Sequence, residues 1–211
     1  MVMPLPLRAR SLPPAVDWCA SGAMTMPQRP KHRTCWAFAV VSAIEELHKI
    51  KKGSLVELSK QQALEWVHRN DGVTSEVDYP YTGDTGTCNK EKLKSYATTI
   101  ICYSRTLIFS ELALMEAVAR QPVAVSMSVS AQPFMAYQAG TIFDDPCSDT
   151  TSHAMLVVGY GATTNRSKYW IIKNSYGPRW GDNDYLLVMR GVNSNAGGLC
   201  GIAASALFPM M

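Results

Sequence analysis

A cysteine at the start of an amphipathic segment is the first residue of this 211-residue chain that could act as a nucleophile. Cys35 precedes a run in which apolar residues recur every three or four positions, so we expect it at the N-terminal end of a helix. The unpaired N–H groups and the positive dipole at that end favour a thiolate, which is the nucleophilic form. Taken alone, the position of Cys35 favours the plainer interpretation, a small buried residue of an apolar helix.

A histidine and an asparagine further along the chain could serve that nucleophile. His153 opens an apolar run flanked by glycines and could face a cleft, although a partly buried structural histidine is the plainer interpretation. Asn174 ends another apolar segment, where it could accept a hydrogen bond from an imidazole N–H or simply terminate a strand. The order thiol, imidazole, amide along the chain predicts acyl transfer to a cysteine nucleophile.

Composition limits the classes of protein that the chain can represent. It is 47% apolar and 18% charged with a formal net charge of +3, which excludes wholesale disorder, collagen-like repeats and coiled coils. No stretch approaches the ~18 uninterrupted apolar residues of a membrane-spanning helix. The basic excess is too weak to indicate a nucleic-acid partner. We therefore expect one domain, or two closely packed lobes, that binds neither membrane nor nucleic acid. A monomer is expected as well, although composition does not determine it.

Cysteine usage leaves the compartment open. The six cysteines are Cys19, Cys35, Cys88, Cys102, Cys147 and Cys200. None forms the CxxC pair of a zinc ribbon or a redox motif. An even number suits three disulfides in an oxidising compartment only if no cysteine is reserved for catalysis. The proline-broken N-terminal residues do not form the apolar region of an export signal, which conflicts with the disulfide interpretation.

Hydrophobic periodicity indicates the elements that must position these residues. It predicts a helix over about 35–52 with Thr34 as N-cap and Gly53 as its end, a second helix from Ser59 and a third from Ser110. The period then changes to two, and strands are expected over 123–129, 155–160, 169–173 and 185–189. Helices in the first half and strands in the second half predict an α+β protein with two lobes.

Short motifs in a fixed order connect the chain with a known family. They occupy residues 12–18, 35–38, 78–81, 121–123, 152–154, 170–175, 180–181 and 199–203. In these motifs the chain resembles the papain family of cysteine proteases, above all its plant vacuolar and secreted members. The resemblance implies a papain-like two-lobe fold in a single peptidase domain over 1–211. Its mainly helical lobe would cover about 18–105 and its antiparallel β-barrel-like lobe 106–211, after an extended segment over 1–17.

The resemblance also implies a reaction and the residues that perform it. Peptide bonds would be hydrolysed through a thioester at Cys35, with His153 as acid and base and Asn174 orienting the imidazole. Gln28 would donate a hydrogen bond to the oxyanion. No cofactor and no metal ion would be needed.

Further features follow from the same resemblance. Ser126 and Ala154 would line the pocket for a moderately large apolar substrate side chain, and Trp180 would border the cleft and shield the imidazole–amide contact. Cys147 and Cys200 match a disulfide of the family. The implied partners are protein or peptide substrates and cystatin-like inhibitors. The implied compartment is the vacuole, the lysosome or the extracellular space.

Two departures from the family pattern bear on activity. Residues 28–34 lack the flexible glycines that usually precede the nucleophile, and Gln28 lies one position further from Cys35 than the usual glutamine. His32 replaces a cysteine of this loop. Between 58–67 the chain lacks a stretch that, in the family, carries two cysteines and a pair of glycines lining the cleft. Main-chain hydrogen bonds to an extended substrate would be lost with it.

These departures keep alternative functions open. One is a catalytically inactive homologue that binds peptides or partner proteins. Another is a metal site built on His32 and Cys35, which is disfavoured because no further ligand follows at a suitable spacing.

Overall fold

The computed structural model describes most of the chain. The described residues are 11–20, 22, 34–61, 72–83, 89, 91–92, 95–129, 131–145, 147–192 and 197–211. Within them no helix is long and apolar enough to cross a bilayer.

Helix α1, Cys35–Lys52, begins and ends where the periodicity predicts. Gly53 adopts the left-handed conformation at φ 80°, and its N–H donates to the Lys49 carbonyl, which ends the helix. Thr34 occupies the N-cap position, but its hydroxyl hydrogen-bonds the Tyr81 hydroxyl at 2.7 Å instead of capping the helix. The sequence therefore predicts the bounds of α1 and the N-cap position correctly, but the Thr34 side chain does not cap the helix.

The two other expected helices have different outcomes. Helix α2, Glu111–Val118, begins as predicted, because the Ser110 hydroxyl accepts a hydrogen bond from the Ala113 N–H at 3.1 Å. The helix expected from Ser59 falls largely on residues 62–71, which lie outside the described residues. The Ser59 hydroxyl itself donates to the Tyr79 carbonyl at 2.6 Å.

The strands of the described chain form one large sheet. They are β1 Val16–Asp17, β2 Cys102–Arg105, β3 Val123–Val129, β4 Ile142–Phe143, β5 Cys147–Ala162, β6 Lys168–Lys173, β7 Tyr185–Met189 and β8 Ala206–Met210, with a short helix α3 Ala131–Met135 before β4 and a 3-10 turn Leu199–Gly201 before β8. Their order is β2-β8-β3-β5-β6-β7-β4, with β1 on β5. The fold is thus α+β, as expected.

One pair of strands departs from the antiparallel expectation. The two-residue strand β4 runs parallel to β7, with Ile142 opposite Leu187, whereas the other paired strands of the described chain are antiparallel. Strands β5 and β6 separate the two in sequence, so no hairpin turn forces them to run in opposite directions. The sheet is therefore mixed.

Strand β5 is the element on which the site depends. Its central residues pair with β3 on one side and β6 on the other. Strand β1 also lies against it, and a Cβ at Gly159 would overlap the Val16 carbonyl oxygen, so only glycine permits this approach.

Small side chains allow α1 to pack closely on the sheet. Ala39 and Ala43 of α1 form a buried cluster with Leu156 and Val158 of β5. Because β5 and α1 meet through short side chains, the N-terminal end of α1 lies beside the middle of β5. The largest core lies on the sheet and includes Leu114, Phe134, Met155, Tyr160 and Trp170. A separate core joins α1 to the first part of the chain and contains Val41, Ile44, Leu58, Val73 and Ile100.

The boundary of the two lobes near residue 105 stays a prediction. Strand β2, which ends at Arg105, pairs with β8 and so joins the sheet of the second half.

Candidate active site

The thiol of Cys35 lies at the first residue of α1 and is partly buried. Burial alone would raise the pKa of this thiol. The effect of burial is outweighed by hydrogen bonds from the His153 side chain and the Ala154 amide, by the charge of His153 and by the Trp36 amide. Together these interactions hold the pKa of Cys35 below its ordinary value. The structure therefore brings the sequence-predicted cysteine and histidine together and favours the thiolate.

His153 stands on β5 with its imidazole fixed by an amide. The ring Nε2–H donates to Asn174 Oδ1 at 2.7 Å, and both residues are buried. Because an amide oxygen can only accept, this bond places the ring proton on Nε2 and leaves Nδ1 for the thiol of Cys35. Asn174 follows directly after β6, so the pairing of β5 with β6 sets this contact.

Aromatic rings surround the imidazole. The Tyr176 ring stacks on His153 with centroids 5.0 Å apart and planes 22° apart, and Phe134 of α3 meets the imidazole edge-on at 5.9 Å. Trp180 contacts both rings, at 5.1 Å from Phe134 and 5.4 Å from Tyr176, and is itself buried. The cluster keeps water away from the imidazole, which strengthens its hydrogen bond to Asn174.

Sequence reasoning missed Phe134 and Asp184. Helix α3, which carries Phe134, is only five residues long and is too short to give the periodic signal of a helix. Asp184 gives no such signal, because an aspartate in a glycine- and asparagine-rich segment is typical of an exposed turn. In the structure it is fully buried beside Asn174.

Four charged side chains lie buried behind the site. Lys60 Nζ is 2.9 Å from Glu45 Oε1, and Lys173 Nζ is 3.7 Å from Glu46 Oε1. Burial raises the pKa of Glu46 well above its usual range, and the nearby Lys173 only partly opposes this. Neither carboxylate oxygen of Glu46 has a hydrogen-bond partner among the described residues.

A small cavity is lined both by the two lysines of this charge cluster and by Asn174. Its volume, about 20 Å³, is enough for one water molecule. Its lining includes Phe38, Ser42, Ala154, Lys173, Asn174 and Ser175. Asn174 Nδ2 and Ser175 Oγ are buried without a hydrogen-bond partner in the described part of the chain, so a water there has polar groups to bind.

The expected substrate residues occupy neighbouring positions. Ser126 of β3 and Ala154 of β5 are directly opposite each other in the sheet. Trp180 packs against Phe134 and Tyr176, the two rings that contact His153. Gln28, the expected oxyanion donor, lies outside the described residues, as does His32. Where side chains are described, no group of three histidine, cysteine, aspartate or glutamate residues could hold a metal ion.

The cysteines fall into distinct states. Cys147 and Cys200 form the expected disulfide, which connects the start of β5 to the 3-10 turn before β8. Cys19 and Cys102 are free thiols, and Cys88 lies outside the described residues. Burial raises the pKa of Cys19 to about 12, in contrast to Cys35.

Comparison with known proteins agrees with this fold. Residues 12–210 match the family model described as papain family cysteine protease, and the chain therefore belongs to this family. It is similar to the cysteine endopeptidase RepA of Oryza sativa subsp. japonica, with 41% identity over 95% of this chain and 58% of the relative. It is also similar to the senescence-specific cysteine protease SAG12 of Arabidopsis thaliana, with 39% identity over 94% of this chain and 62% of that protein. The chain thus spans about three fifths of these curated relatives.

A solved structure supports the same fold. The bromelain protease of Ananas comosus, in complex with the E64 inhibitor, superposes with a TM-score of 0.87 at 36% identity, over 95% of this chain and all of that chain. The papain-like fold expected from the sequence is confirmed.

Proposed function

We propose that the chain is a cysteine endopeptidase that hydrolyses peptide bonds through a thioester at Cys35. His153 acts as acid and base, and Asn174 orients the imidazole. The observation that carries the proposal is the thiol of lowered pKa, hydrogen-bonded to an imidazole whose other nitrogen donates to an amide at 2.7 Å. A nucleophile, a base and a group that orients the base are the parts that acyl transfer needs.

The reaction follows from the positions of the protons. The Cys35 thiolate adds to the scissile carbonyl carbon, and the protonated His153 gives its proton to the departing amine as the C–N bond breaks. The resulting thioester is attacked by water, from which His153 removes a proton. The tetrahedral intermediate formed by this attack then breaks down, which releases the carboxylic acid product and restores the thiolate.

Stabilisation of the oxyanion comes from the start of α1. The backbone N–H of Cys35 is the first helical N–H group and lies at the positive end of the helix dipole. Gln28 is the second donor in this proposal. Removal of one such donor costs ~10²–10³-fold in rate, so the position of Gln28 determines how active the enzyme is.

The proposed substrates are proteins or peptides bound along the cleft beside Cys35. Ser126 and Ala154, adjacent across β3 and β5, form a small pocket wall, and Trp180 borders it. Cystatin-like inhibitors are proposed partners, and the peptidase domain is proposed to cover 1–211. The E64 complex of the bromelain protease supports the use of that inhibitor as a probe of this site.

A fluorogenic dipeptide substrate tests the proposal. We expect the chain to release the fluorophore, and Cys35→Ala to lower kcat/KM by at least ~10³-fold because the nucleophile is lost. Cys19→Ala is the matched control, since it removes a partly buried thiol of raised pKa and should leave the rate unchanged. Equal rates for the wild type and Cys35→Ala would exclude the peptidase.

A second candidate function is a binding module without catalysis. The departures over 28–34, which remove the usual glycines before the nucleophile, favour it. It predicts that peptides bind without being cleaved, which tryptophan fluorescence would detect because Trp36 is 46% exposed beside Cys35. Turnover that depends on Cys35 would exclude it.

A further inference from the structure

Asp184 makes contacts on both sides of the residue that orients the imidazole. Its main-chain carbonyl accepts a hydrogen bond from the Asn174 N–H at 2.8 Å. Its carboxylate Oδ1 accepts from the Tyr176 N–H at 2.8 Å and from the Gly177 N–H at 3.0 Å. Tyr176 is the residue whose ring stacks on His153. One side chain and one carbonyl therefore hold the segment that carries both the amide partner and the aromatic cover of the imidazole.

The position of Asp184 is costly, which calls for a compensating role. The residue is fully buried, and its second carboxylate oxygen has no hydrogen-bond partner among the described residues. Its backbone lies in the left-handed region at φ 73°, which is unfavourable for a side chain with a Cβ. Burial raises the pKa of Asp184 to about 6, against the effect of its two N–H donors. Such costs are typical of functional sites.

The charged and titratable groups around Asp184 come from several elements. His153 of β5 and Lys173 of β6 act on the carboxylate as positive charges. Lys173 in turn faces Glu46 of α1. Burial raises the pKa of the Tyr176 and Tyr185 phenols, and the charge of Asp184 adds a smaller contribution to both. In the proposed mechanism His153 becomes a cation, and the charge of Asp184 therefore acts on this group.

We propose that Asp184 is a positioning residue of the site, whose carboxylate fixes the segment from Asn174 to Gly177 and stabilises the protonated imidazole of His153. The inference deepens the proposed peptidase function and rests on it for its kinetic consequence. A negative charge near the imidazole favours its protonated form, and neutral Asn174 supplies none. The carboxylate of Asp184, which holds the Tyr176 and Gly177 N–H groups next to Asn174, supplies one.

Histidine NMR titration tests the charge effect without requiring catalysis. Asp184→Asn keeps an oxygen acceptor for both N–H donors and removes the charge. We expect the His153 signal, assigned with His153→Ala, to titrate at a lower pH in this variant, because a nearby negative charge is lost. Asp182→Asn is the matched control, because it removes an exposed carboxylate of the same loop and should leave the titration unchanged. Equal His153 titrations in Asp184→Asn and the wild type overturn the proposal.

Kinetics then separate this proposal from the proposed function. If the wild type hydrolyses peptides, we expect Asp184→Asn to lower kcat several-fold with KM unchanged, and to shift the alkaline limb of the kcat/KM profile to lower pH. A wild type without Cys35-dependent turnover excludes the peptidase, while the NMR titration still decides the role of Asp184. An unchanged alkaline limb in an active enzyme overturns that role.

A second variant guards against misfolding of the first. Asp184→Gly suits the left-handed backbone and removes both the charge and the acceptor. We expect the same shift of the His153 titration and a larger loss of kcat than in Asp184→Asn, because the Tyr176 and Gly177 N–H groups lose their acceptor. A folded Asp184→Gly with the wild-type titration contradicts the inference.

Discussion

At the scale of single residues, two thiols show how surroundings determine reactivity. Cys35 has a lowered pKa because His153 and backbone amides stabilise its thiolate. Cys19 has a pKa raised to about 12, since burial opposes its ionisation and the nearby Asp17 and Glu46 add to that effect. The residue type is the same at both positions, so the difference comes from the fold alone.

This contrast predicts selective alkylation. At mildly acidic pH, iodoacetamide should modify Cys35 and leave Cys19 unmodified, because only the thiolate reacts. Peptide mass spectrometry after partial labelling identifies the modified residue. His153→Ala should abolish the selectivity, since it removes the principal hydrogen bond to the thiol. Labelling of Cys35 that is no faster in the wild type than in His153→Ala would contradict the proposed ion pair.

At the scale of elements, the site depends on the approach of α1 to β5. Ala43 is 1% exposed and packs with Leu156 and Val158 across this interface. Short side chains let the end of the helix reach the strand that carries His153. The distance between nucleophile and base is therefore a consequence of packing further along α1.

A larger side chain in that interface should separate the two. We expect Ala43→Leu to cost about 1–3 kcal/mol of stability and to reduce the selective labelling of Cys35, because overpacking pushes α1 away from β5. Lys52→Leu, at an exposed position of the same helix, is the control and should do neither. Urea unfolding and the labelling assay measure the two effects. If Ala43→Leu is destabilised but Cys35 is labelled as selectively as in the wild type, the packing of α1 on β5 does not determine the reactivity of Cys35.

The disulfide is a second constraint at this scale. It joins Cys147, at the start of β5, to Cys200 across 53 residues of sequence. Replacing both with alanine should lower the free energy of unfolding by about 2–5 kcal/mol, because the unfolded chain gains freedom. Denaturant unfolding measures this loss, and Cys102→Ser, which removes a free thiol, is the control. A double variant as stable as the wild type would show that the core alone holds the start of β5.

At the scale of the whole molecule, buried carboxylates make stability depend on pH. Burial raises the pKa of both Glu46 and Asp184, the latter to about 6. In this range the folded chain binds more protons than the unfolded chain, so stability falls as pH rises. The cost is absent below the carboxylate pKa of the unfolded chain, ~4, and is complete once pH exceeds the raised values.

Variants of these residues should remove part of that dependence. We expect wild-type stability to decrease between about pH 4 and pH 8, and Asp184→Asn to recover about 1–3 kcal/mol at the upper end but nothing at the lower. Glu46→Gln should act in the same direction. Urea unfolding across the pH range measures both. A recovery of equal size at both ends would indicate a packing effect instead of a charge effect. Stabilisation by Asp184→Asn, together with its expected loss of kcat, would show a site maintained against stability.

Local patterns in the sequence were sufficient for much of the fold and for the central residues of the site. The bounds of α1, the Ser110 cap of α2 and the core of β3 each depend on a few neighbouring residues, and the structure confirms them. The family motifs identified the fold and the cysteine, histidine and asparagine that the structure brings together.

The sequence by itself determined which elements form and which residues could react, because periodicity and caps act over a few positions. Only the tertiary structure decided that Thr34 contacts Tyr81, that β4 runs parallel to β7 and that Asp184 is buried behind Asn174. How deeply a side chain is buried, and which group it contacts, depend on segments that are distant in sequence and pack against it. The same packing lowers the pKa of Cys35 and raises the pKa of Cys19.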